Sequence, residues 1–386
     1  SDVAYRSRDE LLVGTDFGDG KSLTDSGYPR VVKSWRRGTP LSEARTVFEG
    51  EQTDISASQY AYHDRGFVHE FQRRSVTFYT SKHFYRALSL ERLATVSAAD
   101  EDAPFAPVPI PDDAEISTFA GDAMITLRSD WAPPGDCPAA AAEEGGGCFK
   151  AGALLTAPMA EVMAEDFSGL KCLFAPTPSK SLQSTTTTKD YVVLSVLEDV
   201  RTTLEIWKYD GPGQFSLLSS AGSGDGSSSG GGAVGVGESV AVSNVNRDSA
   251  MDNRLFLWRD GYLVPDTLEL VDDAADLAAT DATTDAKKEP LPLKSKPAMF
   301  DAAGLVVEQH FATSKDGTKV PYFVVKKEGL PADGSNPTLL DAYGGFEVSM
   351  LPGYSAAVGA AWLEKGGVKV IANIRGGGEY GERSWN

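Results

Sequence analysis

Short runs of β-branched, aromatic and aliphatic residues, divided by polar turns, dominate the chain up to about residue 300. Leu11–Gly14, Arg74–Thr80 and Ala123–Leu127 are early examples. The clearest group is Tyr191–Leu197, then Thr203–Tyr209 and, after an Asp210-Gly211 turn, Phe215–Leu218. Arg254–Trp258 and Tyr262–Val264 flank a second turn, Arg259-Asp260-Gly261. Apolar runs closed by Asp-Gly are a strong hairpin signal, because those residues accept the backbone angles a tight reversal needs. The spacing predicts antiparallel meanders in series, as in a β-propeller with blades of roughly 40–50 residues. Pattern alone leaves a large sandwich or barrel open.

After about residue 300 the texture changes. Val306–Thr313 and Val320–Val325 flank Lys315-Asp316-Gly317 and read as a hairpin. Thr338–Tyr343 reads as a buried strand running into Gly344-Gly345. Ser355–Glu364 is compatible with a helix, closed by Gly366-Gly367, and Val368–Ile374 reads as a second buried strand. Strand, helix, strand with glycines at the strand ends is the grammar of an α/β domain. Two domains are therefore expected, a mostly β one over 1–300 and the start of an α/β one over 301–386.

Three stretches break the pattern: Asp136–Gly147, the Gly/Ser-rich Gly222–Gly237, and the acidic Val271–Pro292. They read as surface insertions or loops, the last with room for a short surface helix. Across the 386 residues, 55 acidic against 36 basic side chains give a net charge of −19. That balance supplies no broad cationic surface and speaks against nucleic acid as a partner. No apolar run approaches the roughly 18 residues a membrane helix needs. Cys137, Cys148 and Cys172 are few, odd in number and without zinc spacing, so they read as reduced thiols and a cytoplasmic location is expected. Neither an initiator Met nor an apolar signal core opens the chain, and both ends read as interior parts of a longer protein.

Several motif matches have simpler readings. Gly226-Ser227-Ser228-Ser229-Gly230 has the letters of a nucleophile elbow but lacks the strand before and the helix after that strain such a serine. Gly230–Gly235 spells GxGxxG in the same insertion. Gly376–Gly381 spells it again after a strand, and keeps a nucleotide-binding α/β protein as an alternative, although Arg375 and Glu379 are unusual in a pyrophosphate cradle. His63, His69, His83 and His310 lack metal-spaced partners and read as ordinary surface or packed histidines. No cofactor or metal is expected.

One constellation is more specific. Phe311–Pro321, Tyr343-Gly344-Gly345-Phe346 and Ala372–Gly381 resemble, in order and spacing, three blocks at the start of the peptidase domain of the prolyl oligopeptidase family. The resemblance implies a seven-bladed propeller, incomplete here, followed by the N-terminal part of an α/β-hydrolase domain. It implies a monomeric serine peptidase that cleaves short peptides, after proline, through an acyl-enzyme. Tyr343 matches the tyrosine whose phenol forms the oxyanion hole with a backbone N–H, and Phe346 an aromatic lining the pocket for the residue before the cut bond. Arg375 and the glycines after it read as turn-shaping. Asp341-Ala342 departs from the Tyr-Gly that usually precedes this tyrosine, which leaves the branch open. The family's Ser, Asp and His follow the Arg-Gly-Gly-Gly block, so residues 1–386 alone are expected to be inactive. A non-catalytic propeller binding module is the alternative from another class.

Overall fold

The computed structural model describes residues 1–88, 104–134, 149–220, 234–278 and 288–381. Among them, 24 strands form six four-stranded sheets. The chain divides into two compact units, Ser1–Leu173 and Phe174–Asn386, so the change of texture near residue 300 lies inside the second.

In the first unit, β1 (Asp2–Tyr5), β2 (Glu10–Gly14), β3 (Val31–Arg36) and β4 (Arg45–Glu49) make one meander. A second joins β5 (Ser56–Asp64), β6 (Phe67–Ser75), β7 (Ser81–Leu88) and β8 (Ala106–Pro107). The third joins β9 (Glu115–Phe119), β10 (Asp122–Thr126), β11 (Leu154–Pro158) and β12 (Lys171–Phe174). Ala123, Ile125, Leu155 and Ala157 pack with Phe71 and Tyr85 of the second sheet in one core. A buried charge network also links the first two sheets. Glu70 accepts from Gln59 Nε2 at 2.8 Å and Arg86 Nε at 2.7 Å, and pairs with Arg6 Nε at 3.2 Å. Removing one member would leave an uncompensated buried charge, which costs far more than the intact set contributes.

In the second unit, β13 (Lys180–Thr187), β14 (Tyr191–Glu198), β15 (Arg201–Gly211) and β16 (Gln214–Ser220) form a meander in which Val192–Leu197 is buried on both faces. Next come β17 (Glu238–Asn244), β18 (Leu255–Gly261), β19 (Thr267–Val271) and β20 (Leu291–Ser295). Val193, Leu204 and Ile206 close a core with Val240, Leu255 and Leu257. These five meanders have the construction of propeller blades, and within each unit neighbouring sheets share an apolar core.

The sixth sheet is different. It runs β21 (Leu305–Thr313), β22 (Lys319–Lys327), β24 (Val368–Ala372), β23 (Thr338–Ala342), and the β23–β24 pair is parallel. A crossover between parallel strands is what an α/β domain requires and a meander never makes.

The structure corrects several local expectations. Val76–Thr80 is a turn, because the Thr77 hydroxyl accepts from the amides of Tyr79 and Thr80 at 3.2 and 3.1 Å and closes the chain on itself. The reversal placed at Asp210-Gly211 falls later, since β15 continues through Gly211. Tyr262–Val264 is not a strand: β18 runs on to Gly261, and the Tyr262 ring packs on Phe323 with centroids 5.6 Å apart. Between Ser355 and Glu364 a short α-turn, Ala356–Val358, opens into a wider π-turn, Gly359–Leu363, where the Phe300 ring lies against the bare Cα of Gly359. Strand β23, read as buried, is exposed along its whole length. It is the edge of the sheet, and Leu340 is 65% exposed. In the acidic stretch, Asp273 Oδ1 accepts from Ala275 N at 2.9 Å and caps a short 3₁₀ turn, Ala274–Leu277. Gly226–Gly230 with Ser228, the first four residues of the Gly230–Gly235 match, and Cys137 and Cys148 lie outside the described residues.

His83 supplies a pH test of the first unit. It is buried on β7, across the ladder from Arg73. Burial, then the Arg73 charge, lowers its pKa to about 4. An unfolded histidine takes its proton near ~6.5. Between those values the unfolded chain binds the extra proton, so stability present above pH ~6.5 is lost as pH falls towards ~4, by about 3 kcal/mol for this group. Urea unfolding at stepped pH should show that loss, and His83→Gln should remove this part of the slope.

Candidate active site

Strands β23 and β24 run parallel with Ala342 opposite Ala372, so Tyr343 and Asn373 leave the sheet side by side. The carboxyl ends of parallel strands are where α/β sheets place their ligands, because the loops diverge there and leave a crevice. Both loops are rich in glycine, and the close approach of their backbones explains why. A Cβ on Gly344 would overlap the Arg375 carbonyl oxygen, and one on Gly376 would overlap that of Gly344. Gly376 also has φ +89°, a conformation that L side chains rarely adopt. Glu347 N donates to Gly376 O at 3.0 Å and joins the two turns directly.

Tyr343 is 43% exposed, and its phenol lies over Gly345, where a Cβ would stand 2.8 Å from the hydroxyl oxygen. No hydrogen-bond partner holds this hydroxyl among the described residues. Three residues on, Phe346 has φ +57° and is 88% exposed, and Glu347 follows at φ +56°. Two successive non-glycine residues in the left-handed region store strain of order 1–3 kcal/mol each. The structure thus places both sequence-predicted site residues on one tight turn. Their roles are taken up below.

Around the turn lies a buried polar set that local pattern does not mark. Glu379 is 1% exposed, and its Oε1 accepts from Met350 N at 2.8 Å and from Asn373 Nδ2 at 2.9 Å. Asn373 Nδ2 also donates to Met350 O at 2.9 Å. On the other side, Ser181 Oγ of β13 donates to Glu379 O at 2.9 Å, and Tyr380 OH donates to Asp199 at 3.1 Å. Burial, with the negative charge of Asp199 nearby, raises the Tyr380 pKa, so the phenol stays a donor at neutral pH. The signal available in sequence was Glu379 itself, an acidic residue inside a glycine run.

Arg375 turns the other way. Its guanidinium grips the β21–β22 hairpin, reaching Asp316 Oδ2 at 2.6 Å and Ser314 Oγ at 2.7 Å. Hydrogen bonds from Thr318, then from Ser314, with the Arg375 charge beyond them, hold the Asp316 pKa at about 2. The carboxylate is therefore charged throughout the physiological range. For Gly376–Gly381 as a nucleotide cradle the geometry is poor. Gly344 fills the space over Gly376, the Glu379 carboxylate packs against Gly377, and turns occupy the rest through Gly381. Among the described residues no three His, Cys, Asp or Glu side chains cluster as metal ligands, and no helix is long and apolar enough to cross a membrane.

Comparison with known proteins finds similarity to peptidases. No family model matches the chain. An uncharacterized peptidase of Sinorhizobium fredii is 35% identical over 99% of this chain and 46% of its own length. A prolyl endopeptidase of Elizabethkingia miricola is 51% identical over 84 residues, 22% of this chain and 12% of that protein. The chain is thus similar to peptidases, prolyl endopeptidases among them. A post-proline cleaving enzyme from Rickettsia typhi has the same fold, with a TM-score of 0.75 at 24% identity over 99% of this chain and 49% of its own. The chain thus spans about half the length of the full-length relatives it matches.

The interlock predicts a specific sensitivity. Gly376→Ala forces a Cβ into the Gly344 carbonyl and a disfavoured φ, and should cost roughly 2–4 kcal/mol of stability. Gly366 shares a positive φ but has open space around it, so Gly366→Ala should cost about 1 kcal/mol. Paired urea titrations of the two variants check the difference.

Proposed function

We propose that the whole protein to which this chain belongs is a serine peptidase that hydrolyses short peptides after proline. Serine attacks the scissile carbonyl, histidine takes its proton and aspartate orients the histidine, giving an acyl-enzyme that water then resolves. In this reading the propeller occupies 1–300 and admits short peptides, and the peptidase domain begins at 301. The resemblance to the prolyl oligopeptidase family favours a monomeric, cytoplasmic enzyme without a cofactor.

The observation that carries the proposal is Tyr343, an exposed phenol without a partner at the carboxyl end of a parallel strand, over a glycine that leaves it room. A neutral phenol with a pKa near ~10 donates at neutral pH and gains most when negative charge develops on the carbonyl oxygen. Phe346, pushed into solvent by its strained backbone, supplies one wall of the pocket for proline. The resemblance puts Ser, Asp and His after the Arg375 block, so residues 1–386 alone should lack turnover.

The test uses the complete gene product and residues 1–386 side by side, with a fluorophosphonate probe and a peptidyl-prolyl chromogenic substrate. The complete protein should label and turn over, and residues 1–386 should do neither. Tyr343→Phe in the complete protein should lower kcat by about 10²–10³-fold with little change in KM. Phe346→Ala should instead raise KM for proline substrates. Labelling of residues 1–386, or cleavage after basic residues in preference to proline, would sink the respective part of the proposal.

A further inference from the structure

We propose that Glu379 is a positioning residue for the oxyanion turn, holding Tyr343 and Phe346 in place by gripping the far end of the loop that carries them. The inference rests on the reading of Tyr343 as the oxyanion donor and adds a residue which that reading does not contain.

The loop from Tyr343 to Met350 is held at both ends. At its start, β23 fixes Tyr343 through the parallel ladder to β24. At its finish, the Glu379 carboxylate takes the Met350 amide, while Asn373, itself tied through its amide to Pro321 O at 3.0 Å, takes the Met350 carbonyl. Glu379 and Asn373 are joined by their own hydrogen bond, so the two side chains act as one clamp. Between the ends sit Phe346 and Glu347 with positive φ, a conformation that persists only where the surroundings impose it. Without the clamp, the hydrogen bond from the Glu347 amide to Gly376 O is left to restrain that stored strain, and the turn can shift. The phenol of Tyr343 and the ring of Phe346 then lose the placement that catalysis needs within a fraction of an ångström.

Glu379 is itself anchored. Its main-chain carbonyl accepts the Ser181 hydroxyl of β13, and the neighbouring Tyr380 reaches Asp199 beyond β14. One residue therefore connects a blade, through its backbone, to the oxyanion turn, through its side chain. A charged acceptor suits the task, because hydrogen bonds to a buried carboxylate are roughly twice as strong as neutral ones.

A double-mutant cycle in the complete gene product separates positioning from simple stability. Glu379→Ala should lower kcat by ~10–100-fold with KM within about twofold. Glu379→Gln, which keeps an oxygen acceptor for Met350 N, should recover most of that loss. In a Tyr343→Phe background Glu379→Ala should cost less than ~3-fold, because a positioning residue has nothing left to position. Full, multiplicative losses in the double variant, or a Gln variant as damaged as the Ala variant, overturn the inference. Those results leave the oxyanion reading intact, whereas an unchanged kcat for Tyr343→Phe alone removes both. Should Glu379→Ala not yield folded protein, Asn373→Ala goes through the same cycle with the same expectations.

Discussion

The parallel register of β23 and β24 is the constraint from which the rest of the site follows. Pairing Ala342 with Ala372 brings two loop backbones out of the sheet at adjacent points, closer than side chains would allow. Only glycine at 344 and 376 accommodates that approach, and the resulting interlock fixes where each loop goes next. One loop presents Tyr343 and Phe346 outward. The other folds Glu379 inward to hold the first. A register shifted by one residue would reverse the faces and separate the turns.

Charge serves geometry here. Arg375 and Glu379 are four residues apart in one glycine-rich turn and point in opposite senses. The guanidinium stays near solvent and fastens the β21–β22 hairpin through Asp316, while the carboxylate is buried and its Oε1 accepts from Met350 and Asn373. The exposed pair is screened by water and salt and contributes modest stability. The buried carboxylate is the costlier feature to build, and such cost is usually met where a backbone must be held in an unfavourable conformation. Phe346 and Glu347 are that backbone.

The exposed edge of the sixth sheet departs from the usual burial of parallel strands. Parallel strands are normally covered on both faces, yet every residue of β23 is exposed, with Leu339 and Leu340 on opposite sides. An unpaired apolar edge of this kind also invites association between chains.

Much of this was written into local sequence. The β-branched, aromatic and aliphatic runs between Tyr191 and Leu218, divided by polar residues, specified a meander, because such side chains favour strands and a reversal needs polar or glycine residues. The change of pattern near residue 300 preceded the sheet that holds a parallel pair, and the three ordered blocks from Phe311 to Gly381 named the two candidate site residues. Other features were decided only in three dimensions. Val76–Thr80 has strand composition but is closed by the Thr77 hydroxyl, and Tyr262 leaves its ladder for the ring of Phe323. The burial of β23 was misjudged because apolar content cannot say whether another layer lies alongside. Glu379 and Asn373 were passed over because each is an ordinary polar residue until the fold brings Met350 to it. Sequence determined which residues could turn, pair or donate, since those properties belong to single residues and their neighbours. Tertiary structure decided which of them meet, since that depends on a strand register set by packing across distant parts of the chain.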